Sequence, residues 1–336
     1  MSIKTCLENG ELNFTPFEEI SKNYKQNKFN KWHNENNNDT NTASRRFDDD
    51  FFFVNCTSNS IKKFKGDYKV FTMGSCFARN IEESLRKNSI EILTDKFQID
   101  PSYYTHRRRA SAVLNKFNIP SMLYEFERAL GMVEVDDLQF IEVNDEVYFD
   151  TGTAGLKLLP LRTLREIRDQ SIKMTRKIIE ADVFIVTLGL VEMFIDNETM
   201  RVLNTSPHPL LRRKYKERFS HARPGYDYLK DKFFRLISLL RKVNQNLNVV
   251  VTVSPVPLQA TMLDEDIVST NTYSKSLLRV LAQESSNNFD NVFYFPSYEM
   301  VMNSPRNNTW ELDNIHVKSS QVDNVTSLFI EQFFQD

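Results

Sequence analysis

Two side chains of nucleophilic type stand together in Gly74-Ser75-Cys76-Phe77-Ala78. A short β-rich run over residues 68–73 ends at Gly74, and Ala78, Ile81 and Leu85 follow at helical spacing. Cys76 therefore falls at or near a helix N-terminus. The positive end of the helix dipole stabilises a thiolate there, and the end's backbone N–H groups can hold an oxyanion. The same spacing equally suits a small buried apolar cysteine. Far along the chain stands Asp313-Asn314-Ile315-His316. A carboxylate three residues before a histidine can accept from Nδ1–H, fix the tautomer and leave Nε2 as a base. A surface aspartate beside a surface histidine fits that spacing as well. The third stretch is Thr187-Leu188-Gly189-Leu190-Val191-Glu192, at the end of an apolar run. Gly189 can turn its N–H toward a crevice. Glu192 either points the same way or starts a hairpin.

These stretches need a scaffold that brings them to one edge. Residues 183–188, 248–253 and 292–295 are continuous apolar runs, as suits parallel strands buried on both faces. Residues 90–94 read as a further short strand. Helical patterns cover 119–130, 162–180, 226–244 and 271–284. Ser319 can cap a last helix with Val322, Val325 and Phe329 on one face. This alternation predicts a three-layer α/β/α, flavodoxin-like domain with a mostly parallel five-stranded sheet. Ligands in such sheets bind outside the carboxyl ends of the strands. Residues 138–149 predict a hairpin turning at Asn144-Asp145, and 192–203 one turning at Asp196-Asn197. A Pro- and Arg-rich loop to Pro224 follows, so about 192–225 reads as an insertion. Residues 1–60 read as a partly irregular N-terminal extension, with a polar run over 33–41 and an aromatic anchor, Phe51-Phe52-Phe53. Residues 61–336 form the main domain.

Composition closes off several alternatives. The 336 residues hold eight glycines and neither phosphate-loop signature, G-x-G-x-x-G or G-x-x-x-x-G-K-[ST]. Cys6, Cys56 and Cys76 are widely spaced, so they build no disulfide framework and no C-x-x-C metal site. Lys and Arg number 43 against 45 Asp and Glu, a balance that argues against nucleic-acid binding. The longest apolar stretch, 183–195, contains Glu192 and is too short to span a bilayer. The first residues show no charged start followed by an apolar core. No secretory signal is expected, and the cytoplasm is the default location.

A nucleophile after the first strand, a glycine loop after the third and D-x-x-H before the last helix form an ordered set. It is similar to the SGNH/GDSL esterase and acyltransferase superfamily, whose blocks are G-D-S, G-x-N-D and D-x-x-H. A more specific resemblance is to the GSCFA family, named for the motif that stands here as Gly74-Ser75-Cys76-Phe77-Ala78. It runs from about residue 68 to 334 and includes Val253-Ser254-Pro255-Val256-Pro257, residues 271–279, Tyr294-Phe295-Pro296-Ser297-Tyr298-Glu299 and 313–317.

The resemblance implies an acyl-ester enzyme, an O-acyltransferase or esterase acting on a carbohydrate in glycan synthesis. In register, Cys76 takes the place of the superfamily's serine nucleophile, with Ser75 the runner-up. His316 becomes the base and Asp313 its orienter. The oxyanion donors become the backbone N–H groups of Cys76 and Gly189. Val191 falls where the superfamily has its asparagine, and no glycine occurs between Leu93 and Tyr104. Two donors are thus missing, with Asn80 or Thr187 as candidate replacements. The partners implied are a small acyl donor and a carbohydrate acceptor. No cofactor is expected to bind tightly, and an acyl-CoA such as acetyl-CoA is a candidate co-substrate. Gly74, Thr187, Glu192, Ser254, Arg107 and Tyr273 are candidate substrate-binding residues. Arg107 lies in a basic run, 106–109, that suits an anionic group or a solvated turn. Arg212, Arg213 and Lys214, with His208 and His221, suit a lid over the crevice or a mobile loop. The alternative is a non-catalytic glycan- or CoA-binding module on a degenerate SGNH scaffold. The missing donors favour it, and the retained Asp313–His316 pair counts against it.

Overall fold

A computed structural model describes residues 15–33, 40–55, 64, 68–105 and 109–334. Among these residues the strands are β1 (Lys69–Gly74), β2 (Glu91–Ile92), β3 (Phe140–Glu142), β4 (Tyr148–Asp150), β5 (Val183–Leu188), β6 (Met193–Asp196), β7 (Arg201–Leu203), β8 (Phe219–Ala222), β9 (Asn248–Val253) and β10 (Val292–Phe295). The apolar runs form one parallel sheet in the order β10-β9-β5-β1-β2. That is the flavodoxin-like order of a doubly wound sheet, with helices on both faces. Every residue of β5 and β9 is buried. Strands covered on both faces have no solvent side, so their sequences carry no polar alternation.

Pairing sets the carboxyl ends of four strands level. Gly74 pairs with Thr187, Thr187 with Thr252, and Thr252 with Phe295. The next residues of three of these strands are Ser75, Leu188-Gly189 and Val253-Ser254, and they emerge along one edge. Aromatic rings lock the layers on either side. Phe71, Phe126 and Phe184 meet on one face, with Phe126 edge-on to Phe184 at 5.5 Å. Phe295 packs edge-on to Phe329 at 5.0 Å on the other. A buried phenylalanine contributes about 1.5–3 kcal/mol by leaving water, so the row of strand ends rests on a stiff base.

Several elements differ from the sequence expectation. The second strand is only two residues long and turns at once into a 3-10 helix, Leu93–Lys96. Asp95 there pairs with Arg86 at 2.6 Å, which ties the turn to the helix Phe77–Lys87. The helix expected over 271–284 runs Ile267–Asn288, because the Asp266 side chain accepts from Val268 N–H at 2.8 Å and caps it earlier. The insertion is a three-stranded antiparallel sheet, β7-β6-β8, with a short helix Pro209–Lys214, rather than a hairpin and a loop. β8 supplies its third strand, and Arg218 pairs with Asp196 at 2.8 Å beside it. The expected hairpin of β3 and β4 is present, with the Asn144 side chain accepting from Glu146 and Val147 in the turn.

The aromatic anchor docks on the domain. Phe52 is buried, its N–H donates to Ser304 Oγ at 2.8 Å, and the Asp50 carbonyl accepts from Gln321. The helix Phe17–Gln26 buries no residue. Among the described residues no helix is long and apolar enough to cross a membrane.

Candidate active site

Gly74 ends β1 with φ of +131°, a backbone state that suits glycine. A Cβ at this position would lie 2.2 Å from the Thr187 carbonyl oxygen. Glycine here lets β1 approach β5 closely just before the chain turns. Ser75 N–H then donates to that same carbonyl at 3.0 Å. The Ser75 hydroxyl lies 3.1 Å from Thr187 Oγ1 and accepts from Phe77 N–H at 3.3 Å. Ser75 thus stitches two strand ends together and caps the following helix. Cys76 comes next, half-buried at the N-terminus of the eleven-residue helix Phe77–Lys87. The Asn115 side-chain amide donates to Cys76 Sγ at 3.9 Å.

Asp313 and His316 sit in the loop before the last helix, Ser319–Phe333. Asn314 adopts φ of +55°, which asparagine tolerates, and folds the loop back on itself. Asp313 Oδ1 accepts from the N–H groups of Ile315 and His316 at 2.9 and 3.0 Å. Its Oδ2 lies 2.6 Å from His316 Nδ1. The His316 backbone N–H, then its imidazole, then the Ile315 N–H hold the Asp313 carboxyl down at about 2. With Nδ1–H donated to a fixed carboxylate, Nε2 carries the lone pair.

Ser75, Cys76, Gly189, Asp313 and His316 all line one cleft of about 550 Å³. Three separated stretches of sequence therefore meet at one place. The Gly189 N–H makes no hydrogen bond to any described residue. Its carbonyl accepts from Lys275 Nζ at 2.9 Å, and Leu190 N–H donates to the Phe117 carbonyl at 2.8 Å, so the loop is held from two sides. Lys275 is fully buried, and burial lowers its amine to about 7.

Neither replacement donor expected from sequence lines the cleft. The Thr187 hydroxyl is buried beneath the cleft against Ser75, and Asn80 is exposed on the helix outside the lining. Val191 is buried. Gly74 acts through backbone geometry below the cleft. Ser254 does line the cleft, with its N–H donating to the Leu188 carbonyl and its hydroxyl buried without a partner among the described residues. Tyr273 is absent from the lining. It lies on the solvent side of its helix, under the Arg223 guanidinium at 4.9 Å. Arg107 lies outside the described residues.

Glu192 lines the cleft and pairs with His221 at 3.0 Å. Sequence reasoning placed these two residues separately, because a contact across 29 positions leaves no local pattern. Asn115 was missed for the same reason. It follows the 3-10 helix Ala110–Leu114, in a segment where Lys116 N–H donates to the Gly74 carbonyl and the Asn204 side chain to the Asn115 carbonyl. The only local signal there is Asn118, whose side chain accepts from Ser121 N–H and caps the next helix.

Residues 69–329 match the model of the GSCFA family. No curated protein matches the chain. Among solved structures it is similar to a family 3 carbohydrate esterase of Clostridium thermocellum, at 11% identity and a TM-score of 0.34 over 80% of this chain and 95% of that one. It is similar to a GDSL-like lipase of Bacteroides thetaiotaomicron, at 11% identity and a TM-score of 0.38 over 79% and 87%. A third is an acetyl-xylooligosaccharide esterase variant from Geobacillus stearmophilus, at 10% identity and a TM-score of 0.32 over 81% and 96%. All three similarities are distant.

Proposed function

This chain belongs to the GSCFA family, and from that premise we propose an ester enzyme of SGNH type that works through a thioester on Cys76. One observation carries the reading. The Ser75 hydroxyl is engaged between Thr187 and the Phe77 N–H, while the neighbouring Cys76 lines the cleft that also holds an oriented imidazole.

His316 Nε2 takes the Cys76 proton. The thiolate attacks the ester carbonyl, and the carbonyl oxygen becomes an oxyanion held by Gly189 N–H and the helix N-terminus. The C–O bond then breaks, and the leaving alcohol oxygen takes the proton from His316. Water or a sugar hydroxyl next gives its proton to His316 and attacks the thioester carbonyl. The C–S bond breaks and the thiolate returns, to be reprotonated from His316. Asp313 keeps the imidazole in its tautomer and stabilises the imidazolium.

The described cleft lining contains no Lys or Arg. That favours an uncharged ester, such as an acylated carbohydrate, over the polyphosphate of an acyl-CoA donor. A chromogenic acetyl ester tests the reading. A stoichiometric burst of released phenol is expected from the wild type and from Ser75→Ala, and none from Cys76→Ala. A burst that survives Cys76→Ala removes the thioester, and no burst or turnover in any protein leaves a binding module.

A further inference from the structure

The cleft contains a second carboxylate–imidazole pair that this chemistry does not use. Glu192 follows β5, and His221 lies on β8 of the insertion. His221 Nε2 is 3.0 Å from Glu192 Oε2, with the two side chains only 14% and 4% exposed. The Thr261 hydroxyl, from the loop after β9, donates to both oxygens of that carboxylate at 3.0 and 3.1 Å. Pairing of β6 with β8 sets Phe194 opposite His221, and the two rings meet edge to face at 5.3 Å. Three segments distant in sequence therefore fix one imidazole.

Burying such a pair costs desolvation, and a structural pair has its remaining polar atoms matched. Here one is not. The Glu192 carboxylate lies against Nε2, and Nδ1, on the other side of the ring, makes no hydrogen bond to any described residue. His221, Glu192 and Phe194 all line the cleft, as do Asn204 and Ser206. An imidazole acceptor, neutral polar side chains and an aromatic ring, without a nearby cation in the lining, match an uncharged molecule rich in hydroxyl groups.

We propose that Glu192 and His221 form the subsite for the alcohol part of the substrate, a neutral sugar whose hydroxyl donates to His221 Nδ1. Glu192 is the positioning residue, because its carboxylate lies against Nε2 and leaves Nδ1 for the ligand. The placement of this sugar next to the cleaved bond rests on the ester-enzyme reading, but its binding is measurable apart from it.

The test is calorimetric titration of the full chain carrying Cys76→Ala, which has no nucleophile, with xylotetraose and cellotetraose as probes. Binding of at least one is expected. It should weaken about tenfold or more when Glu192→Gln or His221→Gln is added, and about threefold with Thr261→Val, which sits in a loop and leaves both members of the pair in place. Equal binding by all these proteins, or no binding of either probe, overturns the subsite. Pair-dependent binding in a protein whose wild type never shows a burst supports the subsite and removes the thioester. A burst with pair-independent binding does the reverse.

Discussion

The two carboxylate–imidazole pairs of the cleft are built in opposite ways. Asp313 and His316 are three residues apart in one loop, with side chains 47% and 66% exposed. Glu192 and His221 come from different parts of the chain and are nearly buried. In the first pair the carboxylate is hydrogen-bonded to Nδ1, and in the second it lies against Nε2, so opposite ring nitrogens are left for other partners. A pair made by a local turn forms wherever its loop forms, and it stays open to exchange protons with solvent. A pair made across the insertion exists only when that sheet has folded against the strand ends. The proposed chemistry uses the first pair for proton transfer and the second for recognition.

The sharpest way to break this division is to remove Cys76, the proposed nucleophile, which in this reading only the first pair serves. Cys76→Ala should lower turnover of a chromogenic ester by on the order of 10⁴-fold or more, read by steady-state kinetics. Next in size, Asp313→Asn and His316→Ala should lower kcat by ~10²–10⁴ with little change in KM, as loss of general acid–base help does. Glu192→Gln should show the other pattern, a KM for a sugar ester raised about tenfold with kcat largely kept. If the two pairs give the same kinetic pattern, they do not have separate roles.

Stability changes should follow the same geography. Gly74→Ala forces a Cβ within 2.2 Å of a backbone oxygen at a positive φ. It should cost about 3 kcal/mol or more, seen in urea unfolding. Ser75→Ala removes a hydroxyl that serves structure, so it should cost about 1–2 kcal/mol and leave the burst intact.

The smallest effects are in pH dependence. Asp313, held down at about 2 from the ordinary 3.8, contributes stability above 3.8 that is lost only as pH falls toward 2. Loss of activity on mild acidification therefore does not arise from this carboxylate. Lys275 gives the same direction in a higher pH window. Below about 7 the folded and unfolded chains both carry its ammonium, and burial penalises the folded one. Between about 7 and the ordinary 10.5 only the unfolded chain binds the proton, so stability rises with pH. Lys275→Met should flatten that rise, measured as the difference in Tm between the two proteins from pH 7 to 9.

The central sheet was legible because β5 and β9 are buried on both faces and leave uninterrupted apolar runs. Cys76 was legible because a strand stops at glycine and a helix begins at once. Asp313–His316 was legible because its contact is local. β8 was not, since its residues Phe219–Ala222 are half-exposed and short, and they carry no apolar run. Tyr273 was misplaced because it faces solvent on the helix Ile267–Asn288, away from the cleft, which a run of helical residues does not reveal. Asn115 and the Glu192–His221 pair depend on contacts across 39 and 29 positions, which only the folded chain brings together.

The most direct test traps the acyl group. The protein is quenched in acid during turnover of an activated acetyl ester, digested, and the acylated residue is located by tandem mass spectrometry. The expected result is an acetyl group on Cys76, released by neutral hydroxylamine as a thioester is. An acetyl group on Ser75, or none on a protein that turns the ester over, would contradict the thioester mechanism.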